Sequence, residues 1–246
     1  MSASLLLDVQ GVSKYFGGVR ANEDVSFHVN RGEIVSIIGP NGAGKSTLFS
    51  CVTGFHRLDK GRFFFKGQNI TNQKPHIIAK LGIVRTFQIV QVISDMTVLD
   101  NVMTGAFLRY TAVPDVRRKA EEVLSFTALI EKRNHNSLEL SISDKKRLEV
   151  SMALAMEPEL LMLDESMAGL TPVELREMIQ LIRRMRANGL TVVVVEHVME
   201  AVMELSDRVI VLNSGCKIFE GSPKEVVANP EVIRAYLGDG YNAVRQ

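Results

Sequence analysis

The segment GPNGAGKST at residues 39–47 constrains the fold of this chain more than any other stretch. It follows EIVSIIG at 33–39, a continuous apolar run typical of a buried parallel strand, and a helical pattern comes after it. The segment satisfies G-x-x-x-x-G-K-[ST] in the strand, loop and helix context that a phosphate loop requires. The sequence therefore predicts a loop that binds the phosphates of a nucleoside triphosphate, and a glycine turn without a ligand is the weaker alternative.

The residue types in this loop explain the prediction. Gly42 and Gly44 allow backbone N–H groups to close around phosphate oxygens, while the helix that starts at Lys45 presents its positive end to them. Lys45 neutralises the outer phosphates, and the hydroxyl of Ser46 can bind Mg²⁺. The candidate nucleotide-binding residues of the loop are Gly39, Pro40, Asn41, Gly42, Ala43, Gly44, Lys45, Ser46 and Thr47.

Two further apolar runs carry polar groups only at their ends, LLMLDE at 160–165 and TVVVVEH at 191–197. Open α/β sheets bind ligands at the carboxyl ends of their strands. We therefore expect Asp164 to hold Mg²⁺ through water and Glu165 to act as the general base for an attacking water. If the second run neighbours the first, His197 can hydrogen-bond the γ-phosphate. The alternatives are a solvated Asp-Glu pair and a structural histidine.

The order of the patterns predicts an α/β fold. Short apolar runs from Leu5 to Arg31 are typical of antiparallel strands, and RFFFKGQNI at 62–70 is typical of a hairpin that turns at Lys66-Gly67. Helical periodicity dominates from 88 to 158, after which strand and helix patterns alternate, as in a mainly parallel sheet. We expect one composite domain over 1–246, with a core from 1–87 and 159–246 and an inserted helical region at 88–158.

Composition excludes little. The 29 basic residues nearly balance the 28 acidic ones, so the net charge of +1 gives no reason to expect nucleic acid or anionic lipid as the main partner. Cys51 and Cys216 show no metal or redox spacing. No run of about 18 apolar residues is long enough to span a bilayer, and the start lacks the basic region of a signal peptide. We therefore expect a chain that is neither secreted nor membrane-spanning on its own.

The phosphate loop, LLMLDE and VEH, in this order, resemble the ATP-binding subunit of an ATP-binding cassette (ABC) transporter. KYFGGVRANEDVSF, AGLTP, EHVMEAVMELSDRVIVLNSG and EVIRAYLG are similar to the ATPase subunits of bacterial branched-chain amino acid importers. The resemblance implies a phosphate-loop NTPase core with an N-terminal antiparallel β region and a helical subdomain. It also implies ATP and Mg²⁺ as ligands, and ATP hydrolysis that drives transport.

The resemblance assigns roles to residues that the patterns alone leave open. Phe16 is similar to the aromatic residue that stacks on adenine, where the alternative is an ordinary buried aromatic. Gln88 is similar to the glutamine that contacts Mg²⁺, where the alternative is a solvated loop residue. In the loop that crosses to the partner subunit, at 168–171, Thr171 replaces the usual aspartate.

The resemblance also implies that two subunits enclose two ATP molecules, each contacted by the signature loop Leu-Ser-Gly-Gly-Gln of the opposite subunit. LSISD at 140–144 falls in that place, so that Ser141 is kept while Ile142, Ser143 and Asp144 replace the last three residues. A β-branched Ile142 removes backbone freedom. An Asp144 carboxylate about 4 Å from a phosphate charge would be repelled by about 4 kcal/mol, more than the roughly 0.3–1 kcal/mol it gains from its own helix.

We expect Lys145, Lys146 and Arg147 to offset part of this repulsion. The degenerate loop predicts a pair of unlike ATPase subunits, whereas the alternative is that the family tolerates such changes.

The resemblance also implies transmembrane permease subunits as partners and, indirectly, a periplasmic substrate-binding protein, but no nucleic acid. It places this chain at the cytoplasmic face of the inner membrane. The transported molecule would be a branched-chain amino acid or a related small carboxylate or amide. Rival functions are a soluble or lipid-export ABC ATPase, a non-hydrolysing regulatory subunit and a small-molecule kinase.

Overall fold

The computed structural model describes residues 4–88 and 90–237, which form two sheets and surrounding helices. The strands are β1 (Leu5–Phe16), β2 (Val19–Asn30), β3 (Ile34–Ile38), β4 (Lys60–Phe65), β5 (Gln68–Asn69), β6 (Ile83–Arg85), β7 (Leu160–Asp164), β8 (Thr191–Val195), β9 (Arg208–Asn213) and β10 (Cys216–Gly221). The helices are α1 (Lys45–Val52), α2 (Pro75–Leu81), α3 (Val98–Ala106), α4 (Val113–Phe126), α5 (Ile142–Ala155), α6 (Pro172–Ala187), α7 (Met199–Leu205), α8 (Pro223–Ala228) and α9 (Pro230–Leu237).

The larger sheet has the strand order β10-β9-β3-β8-β7-β6. All of its pairings are parallel except that of β10 with β9. Every residue of β3, β7 and β8 is buried, which explains why these strands read as uninterrupted apolar runs. Because β8 lies between β3 and β7, the polar ends of the three strands share one edge of the sheet. The predicted α/β fold is confirmed.

The second sheet is antiparallel, with the strand order β2-β1-β4-β5. Its first two strands are long and pair with several register shifts. The predicted hairpin at 62–70 is present, because β4 and β5 pair and the turn between them holds Lys66 at φ 52° and Gly67 at φ 77°. Positive φ at both turn residues matches the twist of the flanking strands.

The helical region differs from the prediction at its start. Its first helix begins at Val98, so the described residues between 88 and 97 form a connection rather than a helix. The reason is local capping. The Thr97 hydroxyl accepts the Asp100 N–H at 3.1 Å, and the Asn101 side chain binds both the N–H and the C=O of Ile93. These bonds stabilise a turn where apolar periodicity suggested helix.

Helix α5 joins the helical region to the sheet. Its Leu148 and Ala155 lie in the core formed with α3 and α4, whereas Val150 and Ala153 lie in the core between the large sheet and α6. None of the described helices is both long enough and apolar enough to cross a membrane.

Candidate nucleotide site

The phosphate loop connects β3 to α1 and depends on glycine at three positions. Gly39, Gly42 and Gly44 all have positive φ, at 154°, 83° and 95°. A Cβ on Gly39 would lie 2.1 Å from Leu212 O, and one on Gly44 would lie 2.1 Å from Ala21 O. At Gly42, apart from the two adjacent residues, no described atom lies within 4 Å of that position. The outer two glycines therefore allow close packing, while Gly42 leaves the loop open on the side available to a ligand.

Lys45 is the first residue of α1, and its side chain folds back across the loop. Its Nζ donates hydrogen bonds to Gly39 O at 2.7 Å and Pro40 O at 3.0 Å, and the residue is 7% exposed. Burial lowers the pKa of Lys45, while the nearby carboxylates of Glu165 and Asp164 raise it. A buried cation next to an open loop suits the binding of phosphate.

Asp164 is the last residue of β7 and is 1% exposed. Its Oδ2 accepts a hydrogen bond from Arg85 Nη2 at 2.7 Å, while its Oδ1 has no hydrogen-bond partner among the described residues. Burial raises the pKa of Asp164, and the charge of Arg85 opposes this. A buried carboxylate oxygen without a partner is available to a ligand or a metal-bound water.

Sequence reasoning missed Arg85. Its guanidinium lies between the rings of Phe49, Phe55 and Phe87, with Cζ 4.8–5.9 Å from their centroids. It also donates to Ser50 Oγ at 3.0 Å and Thr86 O at 3.0 Å. The available signal was a basic residue at the end of the apolar run GIVR, just before Gln88.

Two predicted side chains from separate segments, Gln88 and His197, lie beside Glu165. Gln88 Nε2 donates to Glu165 Oε2 at 3.1 Å, and His197 Nδ1 lies 4.0 Å from the same oxygen. Glu165 itself has φ 51°, a left-handed conformation that is uncommon outside glycine. The His197 side chain is 56% exposed, so its ring reaches solvent at the sheet edge.

Phe16 lies at the end of β1 and is 43% exposed, so the alternative of an ordinary buried aromatic is wrong. Its ring centroid is 5.2 Å from that of His56 in an edge arrangement, and Lys14 Nζ is 5.1 Å from it. The exposed part of the ring is available for stacking.

The segment LSISD forms the N-terminal cap of α5, with Ser141 as the N-cap residue. Ser141 Oγ accepts the Asp144 N–H at 3.1 Å and donates to Asp144 Oδ2 at 3.1 Å. Ile142 is the first helical residue and is 69% exposed, whereas Ser143 is 6% exposed. The amide N–H and the carboxylate of Asp144 are thus both engaged by the helix's own cap.

The cation beside Asp144 is not one of those predicted. Lys132 Nζ donates to Asp144 Oδ2 at 2.5 Å. Lys145, Lys146 and Arg147, which were expected to offset this charge, do not contact Asp144. Lys145 bonds Leu138 O, Lys146 bonds the carbonyls of Glu165 and Ala168, and Arg147 pairs with Glu177. Lys132 lies in a 3₁₀ turn twelve positions before Asp144, and no periodic pattern links the two.

Comparison with known proteins decides the family. The sequence model described as "ABC transporter" matches residues 22–168, and the one described as "Branched-chain amino acid ATP-binding cassette transporter" matches residues 216–242. This chain belongs to the ABC transporter family.

Relatives and solved structures agree with this family over nearly the whole chain. The cassette is 39% identical to the high-affinity branched-chain amino acid transport ATP-binding protein LivG of Escherichia coli strain K12, over 95% of this chain and 98% of that protein. A nucleotide-free ATP-binding cassette from an ABC transporter superposes with a TM-score of 0.88 at 32% identity, covering 96% of this chain and 100% of that one. The ADP conformation of MJ1267, another such cassette, gives a TM-score of 0.87 at 33% identity and covers 96% and 99%.

The resemblance stated from the motifs is therefore confirmed, and the kinase alternative is wrong. The cassette is an ATPase whose hydrolysis is coupled to transport. Such a subunit acts with transmembrane permease subunits and associates with the membrane through them.

Proposed function

We propose that the cassette hydrolyses ATP to import branched-chain amino acids, or related small carboxylates or amides, at the cytoplasmic face of the inner membrane. The similarity to LivG and the match of residues 216–242 support this substrate class. In this proposal residues 1–246 work as one nucleotide-binding domain on transmembrane permease subunits, which receive substrate from a periplasmic binding protein. Nucleic acid has no part in it.

The observation that carries the proposal is the convergence of Lys45, Gln88, Asp164 and Glu165 at the carboxyl edge of β3 and β7. Lys45 neutralises the β- and γ-phosphates. To reach them, its Nζ gives up the hydrogen bonds that it donates to Gly39 O and Pro40 O. Glu165 accepts a hydrogen bond from the attacking water and orients it. His197, whose ring lies 4.0 Å from Glu165 and is partly exposed, donates to the γ-phosphate.

The residues present also fit Mg²⁺, which when bound neutralises charge on the phosphate oxygens. The described residues contain no cluster of three His, Cys, Asp or Glu side chains able to hold a metal. Mg²⁺ at phosphate sites keeps several waters and needs few protein ligands. Ser46 and Gln88 would hold the ion, and the unpartnered Oδ1 of Asp164 would help to hold it through water.

Phe16 stacks on the adenine in the same proposal, since its ring is exposed beside a second aromatic and a cation. Replacing it with alanine is expected to weaken ATP binding by about tenfold, on the order of 1–1.5 kcal/mol for one aromatic contact.

We further propose that the cassette pairs with an unlike ATPase subunit. The start of α5 is occupied by Ser141 and Asp144, and the exposed Ile142 stands where close backbone approach to a phosphate would require glycine. Lys132 lowers the repulsion that Asp144 exerts on a phosphate, but its bond leaves the carboxylate in place. The site completed by LSISD is therefore the weaker one, while Phe16, Lys45, Glu165 and His197 serve a site completed by the partner's signature loop.

The test compares ATPase activity of the cassette alone with that of the assembly containing the permeases and the second ATPase subunit. Activity in the mixed assembly only, lost in Glu165→Gln, supports both parts of the proposal. Turnover by the isolated cassette equal to that of an Ile142→Gly, Ser143→Gly, Asp144→Gln variant contradicts the unlike pairing. Vesicle uptake of labelled leucine, compared with a basic amino acid, tests the substrate class.

A further inference from the structure

The loop that follows β7, residues 165–168, holds an uncommon backbone conformation. Glu165 has φ 51°, which a non-glycine residue keeps only where surrounding contacts hold it. The Glu165 N–H donates to Val195 O at 2.9 Å, which fixes the start of the loop to β8. Within the loop, the Ala168 N–H reaches Glu165 O only at 3.3 Å. Other groups must therefore fix the carbonyl side of Glu165.

Lys146 of α5 supplies that contact. It is 8% exposed, and its Nζ donates to Glu165 O at 3.2 Å and to Ala168 O at 2.5 Å. One ammonium group thus joins the two ends of the loop. Because leaving these partly buried backbone carbonyls unpaired would cost free energy, the two bonds favour the observed loop over alternatives.

Two buried carboxylates flank Lys146, and each binds backbone near the site. Glu196 Oε1 accepts the Met167 N–H at 2.8 Å, in the middle of the same loop. Glu149 Oε1, one turn beyond Lys146 on α5, accepts the Phe87 N–H at 2.8 Å, directly before Gln88. The charges of both carboxylates act on Lys146. Helix α5 therefore holds the backbone beside Glu165 and the backbone beside Gln88, and its first turn contains Ile142 and Asp144.

We propose that Lys146 is a positioning residue that ties the Glu165 loop to α5, so that the carboxylate moves with the helix that carries the LSISD segment. Glu149 ties the Gln88 loop to the same helix. A displacement of α5 then shifts Glu165 and Gln88 together. The inference rests on the proposed role of Glu165 in hydrolysis.

The variants Lys146→Met and Lys146→Arg test this in the assembled transporter. Lys146→Met is expected to lower kcat for ATP about 100-fold, since an ångström-scale misplacement of a catalytic group has that effect. The KM for ATP should stay within about twofold, because the phosphate loop is untouched. Lys146→Arg should restore most of the turnover, since a guanidinium can also donate to two carbonyls. Lys119→Met is the matched control, because Lys119 is a partly buried lysine that pairs with Glu157 at 2.8 Å away from the site.

Amide hydrogen exchange provides a readout that a general loss of stability would not produce. Lys146→Met should increase exchange at Met167 and Ala168, with unchanged exchange in β3 and α6. Unchanged kcat, or faster exchange throughout the sheet that Lys146→Arg does not reverse, overturns the inference. If the wild-type assembly shows no ATPase activity that depends on Glu165, the proposed function fails, while the exchange comparison still decides whether Lys146 holds the loop.

Discussion

The ion pair between Arg85 and Asp164 gives a prediction whose size follows from burial. Its side chains are 8% and 1% exposed, and Nη2 lies 2.7 Å from Oδ2. Replacing Arg85 with methionine keeps most of the apolar contact with the surrounding phenyl rings and removes the charge. Asp164 is then left as a buried carboxylate that has lost its ion-pair partner, with only the more distant charge of Lys45 acting on it. Breaking a buried pair in this way costs about 3–5 kcal/mol.

Urea unfolding and calorimetry measure this loss. For a chain of about this length, 1 kcal/mol corresponds to roughly 2–4 °C in Tm, so Arg85→Met should unfold about 6–20 °C below wild type. The matched control is Arg31→Met, because Arg31 pairs with Glu159 at a similar 2.9 Å but with side chains 47% and 37% exposed. An exposed pair contributes about 0–1 kcal/mol. A loss in Arg85→Met no larger than that in the control would refute the reasoning.

The pH dependence of this variant provides a second check. Burial raises the pKa of Asp164, and Arg85 is the main group that opposes the rise. Without Arg85 the carboxyl binds a proton more readily, so the penalty for its charge should shrink as the pH falls from 8 to 5. Adding Asp164→Asn to Arg85→Met should recover stability at pH 8, because the carboxylate that lost its ion-pair partner is then removed as well.

Three further predictions concern other parts of the site. Burial raises the pKa of Glu196 to about 7. The contribution of Glu196 to stability is therefore fully present at pH values below its pKa in the unfolded chain, and it is lost as the pH rises through about 7. In urea titrations, Glu196→Gln should lose less stability than wild type between pH 5 and 8. Lys132→Met removes the cation from Asp144, which is 15% exposed, and should destabilise the chain by about 1 kcal/mol in urea unfolding, whereas Asp144→Asn combined with it should show no additional loss. Gly44→Ala should abolish binding of a fluorescent ATP analogue, because its Cβ would lie 2.1 Å from Ala21 O, while Gly18→Ala, where nothing lies within 4 Å, should bind normally.

Much of the fold could be predicted because contiguous residues determine it. The phosphate loop is a local motif, and the fully buried strands β3, β7 and β8 read as apolar runs with polar ends. Since parallel strands align their carboxyl ends, the sequence also predicted that Glu165 and His197 would lie at one edge, where 4.0 Å now separates their side chains. The start of the first inserted helix was misplaced, because the Thr97 cap and the Asn101 side chain override the apolar period.

The tertiary structure alone decided which charges meet. Arg85 and Asp164 are far apart in the chain, and Lys132 reaches Asp144 from a separate turn. Lys146 likewise binds the backbone carbonyl of Glu165 from a different element. Apolar periodicity determines which face of a strand or helix is buried, and turn residues determine where it ends. Neither sets the distance between side chains on different elements, which depends on how the elements pack. The sequence by itself therefore determined the motifs and the edge of the sheet where they gather, and packing decided which cation stands beside each carboxylate.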